Sequence, residues 1–181
     1  MNTKAHCLRD KKIGEFRLEN FENLRSINNC HLENSTFRSS IMNEIKVKNS
    51  HLTKSNLEKC NIKKALFQNS NLEKASFAWS NLKGNSFTRD NLSKVNFQFV
   101  DLSHSLILEC EAKSSDFRWS KLKNTTFSNC NLTNANFTNC DLRMTSFNDC
   151  NLTGAMYNIN TQLPFSKEMA THLGMNFTGI N

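Results

Sequence analysis

The 181-residue chain is 38% apolar, enough for a core but a thin one, and it carries only 5 glycines and a single proline, Pro164. So few turn formers exclude an ordinary multi-strand sandwich or βαβ fold and leave no linker to divide the chain, so a single domain is expected. Its net charge is +7, from 23 Lys and Arg against 16 Asp and Glu; from Asn124 onward there are only 2 basic and 3 acidic residues, so the excess lies in the earlier two thirds.

Residues 1–16 contain Lys4, Arg9, Asp10, Lys11 and Lys12 and lack the apolar run of a signal peptide. No later stretch approaches the ~18 apolar residues of a membrane span, so a cytoplasmic protein with no membrane contact is expected. Seven cysteines, an odd number whose spacing keeps to a five-residue repeat, read as reduced and packed thiols. Phe16 and Phe21 are five apart but one residue out of phase with the apolar column that begins at Ile27. Residues 1–22 are therefore assigned to an N-terminal cap and an imperfect first turn.

From Ile27 to Tyr157 every fifth residue is apolar without interruption, giving 27 centres such as Leu72, Phe77, Leu82 and Phe87. Two residues before each centre lies a second column, and 23 of its 27 members are Ala, Ser, Cys, Thr or Val; Arg25, Ile45, Asn85 and Asp90 depart. In extended chain, residues two apart face the same side, so both columns point inward while the residue between them, often Asn or Asp, points out. A period of five suits neither a helix nor a long strand; it suits a chain that turns a corner every five residues. After Tyr157 the pattern stops. Residues 160–181 then read as a turn, a short helix begun near Pro164 or capped by Ser166, and a stop at Gly174.

Tandem A/C/S/T/V, D/N, L/F, x, x over residues 23–159 resembles the pentapeptide-repeat family. That resemblance implies an all-β fold, a right-handed quadrilateral parallel β-helix with four pentapeptides per coil, closed here by a short C-terminal capping helix. Residues 20 apart would then be vertical neighbours, with Phe77, Phe97, Phe117 and Phe137 stacked on one face and Phe67, Phe87, Phe127 and Phe147 on the opposite one. The tail FSKEMATHLGMNFTGIN is similar to the C-terminal module of the quinolone-resistance (Qnr-like) group. That likeness implies pairing of two rods end to end through Phe165, Met169, Leu173, Met175 and Phe177.

No Walker loop, dinucleotide fingerprint, His-Glu-x-x-His pair or nucleophile elbow is present, so neither an enzyme nor a cofactor is expected. His31 and His51 would share one column, but structural zinc wants about four ligands, so no metal site is expected. Cys110, Cys130 and Cys150 share another; parallel Cβ vectors hold them ~4.8 Å apart instead of the ~3.8 Å of a disulfide, and they read as small hydrophobic filler. Two outward features stand out. Trp79, Phe99 and Trp119 should form a vertical aromatic stripe with Arg118 beside it, unless the N-terminal segment covers them. Lys54, Lys74 and Lys94 form a lysine column, with Lys63, Lys64, Lys83 and Lys123 expected on the adjoining face, either as a solvated surface or as contacts to phosphate or acidic protein.

The family resemblance implies a type II topoisomerase (DNA gyrase or topoisomerase IV) binding protein that protects its target from quinolones or a toxin, by imitating duplex DNA in shape and negative charge. A +7 rod departs from that charge pattern. The other reading is an adaptor or regulatory scaffold that binds a protein through the aromatic stripe. Direct nucleic-acid binding ranks lower, because lysines and aromatics are not interleaved as a single-strand groove requires.

Overall fold

A computed structural model describes residues 6–179 and explains how five residues make a corner. The centre of each pentapeptide and the small residue before it sit on one short extended segment, and the chain then turns. On most faces the carbonyl of the centre accepts the N–H three residues on, as from Ala75 to Leu72 (2.9 Å) and from Ser55 to Leu52 (3.0 Å). The third residue of each turn has positive φ, as a type II turn demands, and this holds at every fifth residue from Asn34 to Gly154.

Four such corners close a coil. Strands β1 (His6–Arg9), β2 (Leu24–Asn28), β3 (Lys46–Lys48), β4 (Leu66–Gln68), β5 (Ser86–Thr88), β6 (Leu106–Leu108), β7 (Thr126–Ser128) and β8 (Ser146–Asn148) form one parallel sheet in chain order. From β2 to β8 the register is 20 residues, as in Val47↔Phe67 and Phe67↔Phe87. The other three faces are parallel ladders of single bridges, represented by His51↔Asn71, Asn56↔Ser76 and Asn61↔Asn81. Below them the first coil is one residue short, pairing Lys12↔His31, Arg17↔Thr36 and Glu22↔Ile41. In this coil Leu8, Ile13 and Leu18 stand opposite the centres Ile27, Leu32 and Phe37, while Phe16 and Phe21 take places in the small column opposite Ser35 and Ser40; a further irregularity falls between His6 and Cys7.

Every centre from Ile27 to Leu142 is buried. Phe67 and Phe87 stack at 4.7 Å, and Phe77, Phe97, Phe117 and Phe137 continue as a second stack at 5.0–5.4 Å. The two stacks meet edge to face, as between Phe67 and Phe77 (5.9 Å, 90°), an arrangement the ring quadrupoles favour. The small column adds hydrogen bonds to this packing. Ser80 Oγ donates to Leu57 O (2.8 Å) one coil below and accepts Cys60 N–H (2.9 Å). Cysteines substitute for serine as donors: Cys140 Sγ reaches Phe117 O at 2.7 Å and Cys130 Sγ reaches Ile107 O at 3.2 Å. All seven cysteines are free thiols. They fill space, and several also satisfy carbonyls.

The last coil is closed by a different device. Strand β9 (Met156–Tyr157) pairs in parallel with β10 (Asn176–Phe177), and helix α1 (Lys167–His172) bridges the two. Ser166 caps α1 by accepting Met169 N–H (3.3 Å), and Gly174, at φ +79°, ends it. Phe147, left half-buried where the sheet stops, packs against Phe165 at 6.2 Å. Among the described residues no helix is long and apolar enough to cross a membrane.

Candidate interaction surface

Trp79, Phe99 and Trp119 stand on one corner of the rod, directly above one another and exposed by 59%, 37% and 53%. Their rings are parallel, with centroids 4.0 Å apart between Trp79 and Phe99 and 6.2 Å between Phe99 and Trp119. The ladder and the adjacent Ser80, Asn81, Val100, Asp101 and Lys121 line a shallow open groove. The described N-terminal residues form the first coil beneath Cys30 to Met42, several coils away from this corner.

These three aromatics occupy the turn position with positive φ, at +65°, +58° and +63°. Elsewhere that position is held mostly by Asn, Lys, Ser, Glu or Gly. Bulky side chains pay roughly 1–2 kcal/mol each to adopt left-handed backbone. Such strain in three consecutive coils, with the rings left in water, has no compensation in the core. The sequence pattern placed the rings in a column but said nothing of this backbone strain.

Arg118 is engaged at once by its neighbour: its guanidinium forms a bidentate pair with Asp116, at 2.7 and 2.9 Å. The lysines do not make one patch. Lys54, Lys74 and Lys94 follow the corner after Leu52, Leu72 and Leu92, with φ of +58° to +60°. Lys63, Lys64 and Lys83 belong to pentapeptides ten residues further on, hence two faces round the square. The adjoining-face expectation is corrected accordingly, because every pentapeptide rotates the chain by one side. The aromatic corner lies between the two lysine sets. Lys74 is further tied to Glu73 at 2.9 Å.

At the C-terminal end, Met175 is buried and Phe165 and Leu173 are partly buried against the core. Met169 and Phe177 remain exposed, by 47% and 51%. Phe177 lies against Tyr157 (5.4 Å) with Lys167 Nζ over its ring at 5.6 Å.

The family model described as the pentapeptide repeat region matches residues 25–97 and again 85–157, together well over half of the sequence. The chain belongs to the pentapeptide-repeat family. Among solved structures it is similar to HetL, a pentapeptide-repeat protein involved in heterocyst differentiation regulation from the cyanobacterium Nostoc sp. strain PCC 7120. There the identity is 19% and the TM-score 0.53, with 92% of this chain and 85% of HetL covered. It is similar also to trypsin-treated QnrB1, a plasmid-mediated fluoroquinolone resistance protein, at 16% identity and TM-score 0.51, with 92% of each chain covered. Curated proteins yield no match. At these identities the likeness is one of fold, a right-handed quadrilateral β-helix.

Burial pushes the Cys60 thiol up to about 11 and the Cys140 thiol up to about 12, so neither supplies a thiolate nucleophile near neutral pH. The exposed aromatics, in contrast, present apolar area already ordered by stacking.

Proposed function

We propose that this pentapeptide-repeat rod is a non-enzymatic binding protein whose protein partner docks on the Trp79, Phe99, Trp119 ladder. The observation that carries the reading is the exposure of three stacked aromatics on strained left-handed backbone. Aromatic anchors dominate binding hot spots, and pre-stacked rings lose little conformational entropy on contact. Trp79 and Trp119 are the chain's two tryptophans, so intrinsic fluorescence reports on the ladder alone. Partner binding is expected to shield this emission from acrylamide quenching. Trp79→Ala with Trp119→Ala should abolish partner capture while leaving the thermal unfolding of the rod nearly unchanged. Capture that survives both changes would remove the ladder from the interface.

A second reading, protection of a type II topoisomerase by a homodimer, is supported by Met169 and Phe177, which expose apolar surface at the C-terminal end where two rods could pair. It predicts a dimer in sedimentation at tens of micromolar, converted to monomer by Met169→Asp with Phe177→Asp. It also predicts that purified rod restores gyrase supercoiling in the presence of a quinolone. No effect on gyrase at any ratio, with capture that depends on both tryptophans, would leave the ladder reading alone.

A further inference from the structure

We propose that His31, Glu33 and His51 form a surface site for a divalent transition metal of the imidazole-preferring kind, such as Zn²⁺, Ni²⁺ or Cu²⁺. The column pattern alone pairs the two histidines; the third donor comes from the turn. His31 and His51 are bridged across adjacent coils, and their rings stack at 4.5 Å with only 12° between planes. Glu33 reaches back to His31, with Oε1 3.4 Å from Nδ1. One donor atom from each of the three residues lies within 4.8 Å of the other two.

The histidines also forgo something the column ordinarily provides. At the same position in later coils, Asn71, Asn91, Asn131 and Asn151 each accept the N–H two residues on, at 3.0–3.1 Å. The histidine side chain has no carbonyl oxygen for this local turn, and the imidazoles point into solvent instead. Donor atoms around one ion at ~2.0–2.2 Å lie about 3.3 Å apart, so closure asks the three groups to draw in by up to about 1.5 Å. Exposed side chains reach this by rotamer adjustment, because the coil-to-coil ladder already holds the backbones in register.

Two neutral imidazoles and one carboxylate suit Zn²⁺, Ni²⁺ and Cu²⁺, whereas Mg²⁺ and Ca²⁺ call for a shell of oxygens. Three protein donors leave positions open to water, so the ion exchanges readily. Lys12, bridged to His31 in the coil below, sets a positive charge nearby that limits the affinity. A bound ion would clasp the coil of His31 to the coil of His51, next to the shortened first coil.

The test is calorimetric titration of the folded full chain with ZnCl₂ and NiCl₂ in a Cys7→Ser background, which removes an exposed thiol. One ion per chain is expected, with His31→Ala and His51→Ala each weakening binding about tenfold or more and Glu33→Gln also weakening it. His104→Ala, at an exposed histidine elsewhere on the rod, should change nothing, and MgCl₂ should give no binding heat. Paramagnetic Ni²⁺ should selectively perturb the imidazole NMR signals of His31 and His51 in the unmutated sites, which tests the assignment without altering a ligand. Absence of binding up to millimolar metal, or equal affinity in the His31→Ala, His51→Ala double variant, overturns the site.

Discussion

Asp90 places a carboxylate in a column that elsewhere holds mostly small neutral residues. It is buried, accepting Ser70 N–H at 2.7 Å and Thr88 N–H at 3.0 Å. Burial pushes its pKa up from 3.8 to about 7, while the two backbone hydrogen bonds pull the other way. The folded chain therefore binds this proton more tightly than the unfolded one. Stability from Asp90 is fully present below about pH 4 and is lost as pH rises towards 7, by up to about 4 kcal/mol at 1.4 kcal/mol per pH unit. Ser50 and Ser70 show what the column prefers: Ser70 Oγ accepts Ser50 N–H at 3.2 Å without any charge. Asp90→Ser should thus raise urea stability at pH 8 by about 2–4 kcal/mol, with a smaller gain at pH 5. Equal gains at both pH values would mean that folding does not raise the Asp90 pKa and that Asp90 is already ionised in the folded rod at pH 5.

At the scale of the pentapeptide, the aromatic stacks are the main cohesive element. Phe97 sits between Phe77 at 5.4 Å and Phe117 at 5.0 Å and meets Phe87 edge-on at 6.1 Å. Phe97→Ala is expected to cost about 3–5 kcal/mol, through lost burial and a cavity that stacked coils cannot collapse. Lys94→Ala, three residues away on the surface, should cost within about 0.5 kcal/mol; urea titration of both variants compares them directly. The stacks were legible in advance because two inward columns had to match at once; Phe16 and Phe21 marked a break in that pattern, but spacing alone could not show that they take small-column places opposite Ser35 and Ser40. What faces outward was less so. Column spacing aligned His31 with His51 but could not show Glu33 turning back toward them. It put Trp79, Phe99 and Trp119 in line but not on left-handed backbone. It located the lysines along the chain, whereas their separation around the square needed the corner count. Asn85 illustrates the residue-level limit: its Oδ1 accepts Ala65 N–H at 2.9 Å, yet its Nδ2 is buried without a partner.

For the molecule as a whole, the aromatic corner lies between two lysine sets, Lys54, Lys74 and Lys94 on one side and Lys63, Lys64 and Lys83 on the other. If the proposed partner docks on the aromatic corner, this arrangement divides the work of recognition. Exposed charges act over a Debye length of about 10 Å at 0.1 M salt, so with an acidic partner they would steer it towards the corner and set the association rate. The stacked rings would be desolvated only on contact and so would set the dissociation rate. Surface plasmon resonance with the captured partner should show association slowing as salt rises from about 50 to 200 mM while dissociation hardly changes. Lys63→Glu with Lys83→Glu should lower the association rate in the same way and flatten its salt dependence. Trp79→Ala should leave association nearly intact and speed dissociation about tenfold or more, the signature of a lost anchor worth over 1.4 kcal/mol. A dissociation rate that follows the lysines and ignores Trp79 would move the contact from the aromatic corner to the basic faces beside it.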